Sequence, residues 1–347
     1  MTPPQKFSNI WNRGLDVARI CVIVLNYNGW ADTLECLESL LRSTFADFQV
    51  VVVDNASTDD SITRLKAWAN GELSLFVPPG NPLRHLSQPP IPKPVPFSFL
   101  SQDELDSTLP GCEPDPTRGK LVFITANQNR GYAAGNNLGL KWAQANGPFT
   151  HFWILNNDTA IPSKSLARLM EFARRKKTDL TGAKLLNYTS PHSIQSLGGR
   201  INRFFGTSLP ILSENELPEK LDYIEGAALL LSRKCLEQNG LLPEEYFLFF
   251  EEVDYCFTAR RKQLTLGVAN SVEVFHKGEN KTHSSKQYRQ KDEARDLTAL
   301  KSRVIFSRKH LKNNLGLRLG LLISAMIRAS RKQFKLAGEI LRLIFQS

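Results

Sequence analysis

One apolar stretch of the sequence ends in polar residues that could bind a ligand. Residues 151–159, HFWILNNDT, run from bulky apolar side chains directly into Asn156, Asn157 and Asp158. Side chains alternate across a strand, so Asn156 and Asp158 are predicted on one side and Asn157 on the other. An amide and a carboxylate placed in this way could share a divalent cation, Mg²⁺ or Mn²⁺, with a diphosphate supplying further oxygens. The alternative is that Asp158 closes an Asx turn or caps the helix predicted from about Ser163.

Two earlier strands end in a similar way. Asn26 and Asn28 follow the first predicted strand, and Asp54 follows the second, with no basic residue among them. Such groups could recognise a base and a ribose through hydrogen bonds, with Asp54 accepting from a ring N–H or a hydroxyl. Ordinary turn chemistry at each strand end is the alternative interpretation.

A cluster of acids provides a candidate general base. Residues 247–254, FLFFEEVD, place three acids within four positions, directly after aromatic residues. Carboxylates crowded beside apolar surface lose solvent and repel one another, which raises the proton affinity of at least one of them. A group of this kind can accept a proton from a hydroxyl. The alternative is a helix N-terminus at which acids interact with the helix dipole.

A histidine and a segment of small residues complete the candidates. His276 follows an apolar strand, where it could ligate the same cation or bond a diphosphate oxygen, although a lone histidine is often structural. Residues 127–137, NQNRGYAAGNN, would let a ligand approach the backbone, and Arg130 could hold a phosphate or bond a neighbouring carbonyl. The chain lacks G-x-x-x-x-G-K-[ST], and its small residues do not form G-x-G-x-x-G, so P-loop and dinucleotide oxidoreductase functions are disfavoured.

Alternating strands and helices must position these residues. Their order predicts an α/β fold with a mostly parallel sheet. Strands are predicted at 19–26, 48–54, 120–126, 151–156, 180–186, 223–231 and 266–275, and helices at 34–41, 62–68, 131–145, 163–176, just after Ser232 and in the C-terminal tail. Residues 78–118 hold 11 of the 19 prolines and are predicted to form an inserted surface loop without regular helix or interior strand. A binding role for this insert is the alternative.

Composition excludes several classes of protein. The five cysteines include no C-x-x-C pair, which favours a reducing, cytoplasmic setting over a disulfide framework or a thiolate metal site. The N-terminal residues lack the apolar core of a signal peptide, and no segment approaches the roughly 20 apolar residues that span a bilayer. We therefore expect a protein that is neither exported nor threaded through a membrane.

The net charge of +10 is concentrated in the C-terminal tail. From Arg295 onwards the chain has 12 Lys and Arg residues and two acids, with apolar residues recurring at helical spacing. A basic amphipathic helix of this kind can lie on an anionic membrane surface. The alternative is a terminal helix that packs on its own domain and leaves a basic face in water. Nucleic acid is disfavoured as a partner because no binding motif accompanies the charge.

Taken together, the motifs resemble the inverting glycosyltransferases of family 2, and most closely its rhamnosyltransferase-like members. Motifs in a fixed order are far more specific than any single motif. They are VIVLNYNG (22–29), VVVDNASTDDS (51–61), NRGYAAGNNLGL (129–140), WILNNDT (153–159), the segment 223–262 that contains EGAALLLSRKC and FFEEVD, and FHKGENKT (275–282). The resemblance implies the GT-A nucleotide-diphospho-sugar transferase fold over residues 1–77 and 119–290, with the insert at 78–118 and a basic helical tail at 291–347.

The resemblance also implies roles for the candidate residues. Glu251 and Glu252 fall on the catalytic acid pair of the family, usually Glu-Asp, so Glu252 is the candidate base and Glu251 the alternative. The donor site is expected to use Asn26, Asn28, Asp54, Arg130, Gly135, Asn136 and Asn157, with Asp54 at the base. The metal site is expected to use Asp158, Asn156 and His276.

The predicted function is transfer of a sugar, with rhamnose as one candidate, from a nucleoside-diphosphate sugar to a hydroxyl of a glycan or lipid-linked acceptor. This reaction would serve cell-surface polysaccharide biosynthesis, with the protein peripheral on the inner face of the cell membrane. Two alternatives remain: a non-catalytic nucleotide-sugar-binding protein, and a nucleotidyltransferase. The second of these should carry an early glycine-rich loop with Arg and Lys, and the first strand end has neither.

Overall fold

The structure is a computed structural model, and it describes residues 19–107, 120–217, 219–278, 286–312 and 314–345. The start of the predicted catalytic domain at 1–18, the insert residues 108–118 with the following Gly119, and the end of the 275–282 motif lie outside the described residues.

Strands and helices alternate through the first half of the chain, as predicted. These elements are β1 (Ile20–Asn26), α1 (Trp30–Leu40), β2 (Phe48–Asp54), α2 (Ser61–Asn70), β3 (Phe97–Ser101), α3 (Gln102–Ser107), β4 (Leu121–Thr125), α4 (Tyr132–Asn146), β5 (His151–Asn156), β6 (Thr159–Ala160) and α5 (Ser165–Lys176). The second half contains β7 (Leu180–Asn187), β8 (Ser190–Ser196), β9 (Gly199–Asn202), β10 (Thr207–Pro210), β11 (Ala228–Ser232), α6 (Arg233–Asn239), α7 (Glu251–Arg261), β12 (Leu266–His276), α8 (Lys286–Phe306), α9 (Asn314–Ser330) and α10 (Phe334–Phe345).

The central sheet is mixed and mostly parallel. Its strand order is β3-β4-β2-β1-β5-β11-β7-β12-β6, with β8 pairing at the side with β7. The first five strands in this order are parallel to one another, β11 is antiparallel to both of its neighbours, and β12 is parallel to β7. The carboxyl ends of β2, β1 and β5 therefore lie side by side, along the edge of the sheet that the strand ends form.

Strand β1 shows why the sheet is covered on both faces. Its sequence, ICVIVLN, is apolar almost throughout, as expected for an interior parallel strand. Cys21 and Ile23 pack into the apolar cluster that includes α4, whereas Val22 and Val24 pack into the cluster that includes α1 and α5. Helices cover both faces of this part of the sheet and exclude solvent from it. The strand ends are therefore held in fixed positions.

The proline-rich insert is more ordered than predicted. Its residues 97–101 form β3, which pairs with β4 at the edge of the sheet, and residues 102–107 form α3. The buried carboxylate of Glu38 fastens the insert to the domain by accepting hydrogen bonds from Ile91 N at 2.8 Å and Lys93 Nζ at 3.1 Å. The prediction of no regular helix was wrong at 102–107, where the sequence QDELDS contains no proline.

The C-terminal helices form a small apolar cluster of their own. Val304 from α8, Leu317 and Leu321 from α9, and Leu336 and Ile340 from α10 are buried together. A π-helical turn at Ser307–Leu311 joins α8 to the α9–α10 hairpin. No helix in the described part of the chain has the length and apolar character required to cross a membrane.

Candidate functional site

The ends of β1, β2 and β5 meet, as the strand pattern predicts. Asn26 is the register partner of Asp54 in β2, and Leu25 is the partner of Asn156 in β5. Because adjacent strands lie about 4.8 Å apart, the three strand ends bring their polar side chains to one edge of the sheet.

Asp54 is held in a fixed orientation at this edge. Its Oδ1 accepts hydrogen bonds from Asn26 Nδ2 at 2.8 Å and Ser57 Oγ at 2.6 Å, and its Oδ2 accepts from Ser57 N at 3.1 Å. Asn26 has no exposed surface, and its Oδ1 accepts a further hydrogen bond from Thr33 Oγ1 at 2.8 Å. The structure therefore places Asn26 behind Asp54, where it orients the carboxylate, and not at the surface position expected for a nucleotide contact.

Asn28 organises the loop that follows Asp54. Its Oδ1 accepts from Thr58 N at 2.8 Å and Asp59 N at 3.2 Å, and its own backbone adopts a left-handed conformation with φ of 52°. Asparagine tolerates this conformation better than most residues do. The exposed loop of residues 57–59 is thus preformed beside Asp54.

The three predicted metal ligands lie together. His276 Nε2 is 3.1 Å from Asp158 Oδ1 and 3.4 Å from Asn156 Nδ2. Asn157 points to the opposite side, towards Thr33 Oγ1 at 3.0 Å, which confirms the predicted alternation. The first residue of α5 is preceded by Lys164, so Asp158 does not cap that helix.

Gln195, which the sequence analysis did not identify, orients His276. Its Oε1 lies 2.7 Å from His276 Nδ1 and holds the ring with Nε2 towards Asp158 Oδ1. A cation bound here would replace the proton that links Nε2 to Oδ1, and hydrogen bonding of the second ring nitrogen is usual for histidine ligands. No group of three His, Cys, Asp or Glu residues suited to a metal occurs in the described ranges. A cation here would therefore need further oxygens from a ligand or from water.

Asp158 remains ionised in this environment. Burial alone would raise the pKa of Asp158, but the hydrogen bond and charge of His276, with Lys277 beyond it, lower that pKa below its usual value. Lys277 is fixed by ion pairs of 2.6 Å to both Asp32 and Glu35 on α1. Its backbone N–H also donates to Asp158 O at 2.9 Å, which joins the end of β12 to the end of β5.

Gly135 and Asn136 lie near the start of α4. A Cβ at Gly135 would be 2.5 Å from Leu25 Cδ1, so the glycine lets the helix pack closely on β1. Asn136 has no exposed surface and donates to Tyr132 O at 3.0 Å. Gly135 is thus a helix-to-sheet contact and Asn136 bonds within its own helix, whereas the resemblance implies a donor-side loop for both. Arg130 is exposed and pairs with Glu244 at 3.1 Å.

Gly131 connects the strand-end region to the loop that precedes the glutamate pair. Its φ of 96° suits glycine, and a Cβ at this position would lie 2.2 Å from Phe247 O. The neighbouring Tyr132 N donates to the same oxygen at 2.8 Å, and Asn55 Nδ2 donates to Gly131 O at 3.2 Å. The small residues of the 129–140 motif therefore fix the distance between the two halves of the site.

The glutamate pair begins helix α7 in an apolar environment. Phe249 and Phe250, directly before it, adopt left-handed φ values of 68° and 69°, a strained arrangement of the kind that clusters at functional sites. Glu251 Oε2 and Glu252 Oε2 are buried and have no hydrogen-bond partner among the described residues. Burial raises the pKa of Glu251 to about 7. Burial and the charges of Glu251 and Glu225 raise the pKa of Glu252 well above its usual value.

Glu225 is a third acid that the sequence analysis did not identify. It lies just before β11, accepts a hydrogen bond from Ser196 Oγ at 2.8 Å, and has a pKa raised by burial. Glu225 and Glu252 both line a cavity of about 310 Å³, whereas Glu251 does not. The remaining lining residues are Ser208, Pro210, Tyr223, Phe249, Phe250, Val253 and Ala299.

Tyr132 joins the cation side of the site to the glutamate side. Its hydroxyl is 2.8 Å from Asn156 Oδ1 and 2.9 Å from Gly226 O. Gly226 in turn faces both Tyr132 and Glu252, since a Cβ there would lie 3.7 Å from each side chain. Burial and the charges of both glutamates and of Asp158 raise the pKa of Tyr132, so these groups share one region.

The third acid of the FFEEVD motif has a different environment. Asp254 is buried, but it pairs with Lys309 Nζ and His310 Nε2, each at 2.7 Å, in the π-helical turn. It therefore attaches α7 to the C-terminal helices and takes no part in the cavity.

Comparisons with known proteins find similarity to part of the chain. Residues 21–81, from β1 to just beyond α2, match the sequence profile of Glycosyl transferase family 2. A Haloferax volcanii protein named "Low-salt glycan biosynthesis hexosyltransferase Agl10" is 26% identical over 159 residues, which are 45% of this chain and 52% of that protein. An uncharacterised Mycobacterium tuberculosis protein is 24% identical over 177 residues, 47% of this chain and 60% of that protein. The chain thus spans between half and three-fifths of these curated relatives.

A solved structure shows the fold. The crystal structure of GalNAc-T7 with UDP, GalNAc and Mn²⁺ superposes with a TM-score of 0.52 at 12% identity, covering 76% of this chain and 44% of that one. At this identity the likeness concerns the fold alone, and it confirms the predicted GT-A-like arrangement of a mostly parallel sheet between helices.

Proposed function

We propose that the protein is an inverting glycosyltransferase that moves a sugar from a nucleoside-diphosphate sugar to an acceptor hydroxyl. The observation that carries the proposal is the chain of neighbouring groups that runs from Asp158 and His276 through Asn156, Tyr132 and Gly226 to Glu252. The family 2 match of residues 21–81 supports the reaction class, and so does the name of the Haloferax relative, a hexosyltransferase of glycan biosynthesis.

Glu252 is the proposed general base. It faces the cavity, one of its carboxylate oxygens has no partner among the described residues, and its pKa is raised by burial and by two neighbouring acids. In the proposed step Glu252 takes the proton of the acceptor hydroxyl while that oxygen attacks the anomeric carbon. The bond from that carbon to the diphosphate breaks, and its electron pair leaves with the diphosphate. A single displacement from the opposite side inverts the anomeric centre.

Asp158 and His276, with Asn156 beside them, would hold a divalent cation, either Mg²⁺ or Mn²⁺. When bound, it would supply positive charge to the departing diphosphate. Gln195 keeps the His276 ring in one orientation, and Lys277 keeps the end of β12 against α1. Asp54 and the loop organised by Asn28 are the proposed contacts of the base and ribose.

Rhamnose is the sugar favoured by the order of the sequence motifs, and a glycan or lipid-linked hydroxyl is the favoured acceptor. The apolar walls of the cavity, Phe249, Phe250 and Val253, suit an acceptor with apolar surface beside the reacting hydroxyl. We further propose that the reaction serves cell-surface polysaccharide synthesis at the cytoplasmic side of a membrane.

The test is donor turnover by the purified protein. Rhamnose, hexose and N-acetylhexosamine donors carrying dTDP, UDP or GDP would be incubated with Mn²⁺ or Mg²⁺, and release of the nucleoside diphosphate would be measured. We expect turnover with one donor class, its loss in Glu252→Gln and Asp158→Asn, and no change in Glu237→Gln, an exposed acid on α6. Tight donor binding without transfer or hydrolysis would instead identify a non-catalytic nucleotide-sugar-binding protein.

A further inference from the structure

The outward face of α9 is apolar along its whole length. Leu315, Leu319, Leu322 and Met326 recur every three or four residues, so they share one side of the helix, and their exposed fractions lie between 41% and 75%. Ile323 and Ile327 extend this side and are 38% and 40% exposed. Single exposed apolar residues are ordinary in proteins, but a continuous helical face of them indicates a contact surface.

Helix α10 continues the pattern. Phe334, Leu341 and Phe345 lie on one side of the helix with exposed fractions of 69%, 40% and 89%. Gly338, which falls on the same side, has open space where a Cβ would be. We call the exposed apolar residues of α9 and α10 together the hairpin face.

The opposite sides of both helices already have partners. Leu317, Leu321 and Ala325 of α9 and Leu336 and Ile340 of α10 pack on each other and on α8. The folding of the hairpin is therefore explained by its inner side. Among the described residues, the hairpin face is not needed for that packing.

Basic side chains border the hairpin face. Lys335 and Arg342 lie one position beyond Phe334 and Leu341 on α10, and Arg331 and Lys332 occupy the turn between the helices. Among the described residues, none of these four forms an ion pair with an acid, whereas Arg328 pairs with Asp296. A second copy of the chain would bring the same cations against one another, whereas an anionic phospholipid surface would complement them.

We propose that the hairpin face lies in the headgroup layer of an anionic phospholipid bilayer. Leucine, isoleucine, methionine and phenylalanine would enter the apolar boundary, and the four bordering cations would stay at the level of the phosphates. Each such cation strengthens binding to an anionic surface by about fivefold at low salt. Apolar contact and charge thus act together, and neither alone provides firm attachment.

The docked orientation would also concern the candidate site. Helix α8 carries Asp296, which pairs with Arg328 of the hairpin, and one turn later Ala299, which lines the cavity of Glu252. Docking would therefore hold the cavity at a fixed distance from the lipid, where a lipid-linked acceptor could reach it. This last consequence rests on the proposed function, whereas the docking itself does not.

Vesicle flotation with the full chain tests the apolar part of the proposal. The wild type should float with vesicles of phosphatidylcholine and phosphatidylglycerol in equal parts. The double variant Leu319→Gln and Met326→Gln should bind at least about tenfold more weakly, because two exposed apolar side chains no longer enter the lipid. The matched control, Phe76→Gln with Leu212→Gln, changes two exposed apolar residues elsewhere and should float as the wild type does.

Charge and self-association give two further outcomes. The variant Lys335→Glu with Arg342→Glu should lose at least about twentyfold in affinity for anionic vesicles, and the wild type should bind pure phosphatidylcholine weakly. Unchanged flotation of the Leu319 and Met326 variant, or equal binding to neutral and anionic vesicles, would overturn the proposal. So would a dimer in light scattering that disappears in that variant, because a second copy would then occupy the face.

Donor hydrolysis, measured without vesicles, should be the same in all these variants, so failure of docking and failure of the proposed reaction can be told apart.

Discussion

The acids on the two sides of the candidate site differ in whether they have hydrogen-bond or ion-pair partners. At the strand ends, Asp54 accepts three hydrogen bonds and Asp158 pairs with His276. At the start of α7, Glu251 and Glu252 are buried beside Glu225, and each of the pair has an oxygen without a partner among the described residues. The first side is stabilised before any ligand arrives, whereas the second holds acids at a cost in stability.

The two environments suit two different tasks, ligand recognition at the strand ends and proton transfer at the glutamate pair. A recognition surface benefits from fixed geometry, since ordering the groups in advance lowers the cost of binding. A general base benefits from a raised pKa, because its proton affinity is then closer to that of the group it deprotonates. The strand ends have the first property and the glutamate pair has the second.

The largest expected effect is in Glu252→Gln. We expect the transfer rate to fall by about a thousandfold, because the amide cannot accept the proton of the acceptor, while affinity for the donor is kept. Initial rates and calorimetric titration of the nucleoside diphosphate would measure the two quantities.

The same substitution should stabilise the fold. The raised pKa of Glu252 means that the folded state loses stability as pH rises from the ordinary carboxyl range through that pKa. Glu252→Gln removes this loss, so the variant should exceed the wild type in free energy of unfolding above neutral pH. A variant that is both inactive and less stable would indicate a structural residue and contradict our assignment.

Asp254 sharpens the comparison because it lies on the same helix but has partners. Asp254→Ala leaves Lys309 and His310 without their carboxylate, so we expect about 3 to 5 kcal/mol less stability in urea denaturation. Burial alone would raise the pKa of Asp254, but the hydrogen bonds from His310 and Lys309 lower it to about 2. The contribution of Asp254 to the free energy of unfolding should therefore be present above the ordinary carboxyl pKa and disappear as pH falls towards 2. Asp60→Asn, which changes an exposed acid, serves as the control. Equal dependence of stability on pH in Asp254→Ala and Asp60→Asn would contradict this account.

Smaller effects are expected on the cation side from Gln195→Leu. Without its hydrogen bond the His276 ring can turn, so the affinity for Mn²⁺ should fall by roughly tenfold. Electron paramagnetic resonance of free Mn²⁺ would measure this without turnover, and Gln195→Glu should restore binding because its carboxylate accepts the same proton. An Mn²⁺ affinity that is unchanged in Gln195→Leu would remove Gln195 and His276 from the cation site.

The smallest effect is a shift of the pH profile in Glu251→Gln. The charge of Glu251 raises the pKa of Glu252, so its removal should lower that pKa and move the rise of the transfer rate to lower pH. The rate at high pH should change little. Loss of transfer at every pH would make Glu251 the base and reverse the order of the pair.

The sequence predicted the sheet and the grouping of several candidate residues because both follow from short-range patterns. Apolar runs that end in polar residues fixed the position of Asp54, Asn156 and Asp158 at one edge, and strand alternation correctly turned Asn157 away from Asp158. The acids next to Phe250 were likewise visible as a cluster. Such features depend on neighbours within a few residues, which a sequence displays directly.

Contacts between distant segments were not predictable. Glu225 joins the glutamate pair, and Gln195 joins His276, only through the packing of β8, β11 and β12. An acid directly before the apolar run 226–231 was the available signal for Glu225. Asn26 carries a polar side chain, but helix α1 and the Asp54 loop enclose it, and no local pattern reveals such enclosure.

The contact at Gly131 restricts this position to glycine. Even a methyl group would overlap the carbonyl of Phe247, and the segment bearing the acids would have to retreat from the sheet. A saturation library of codon 131, selected for sugar transfer, should return glycine almost exclusively, whereas neighbouring Arg130, on the surface, should accept many substitutions.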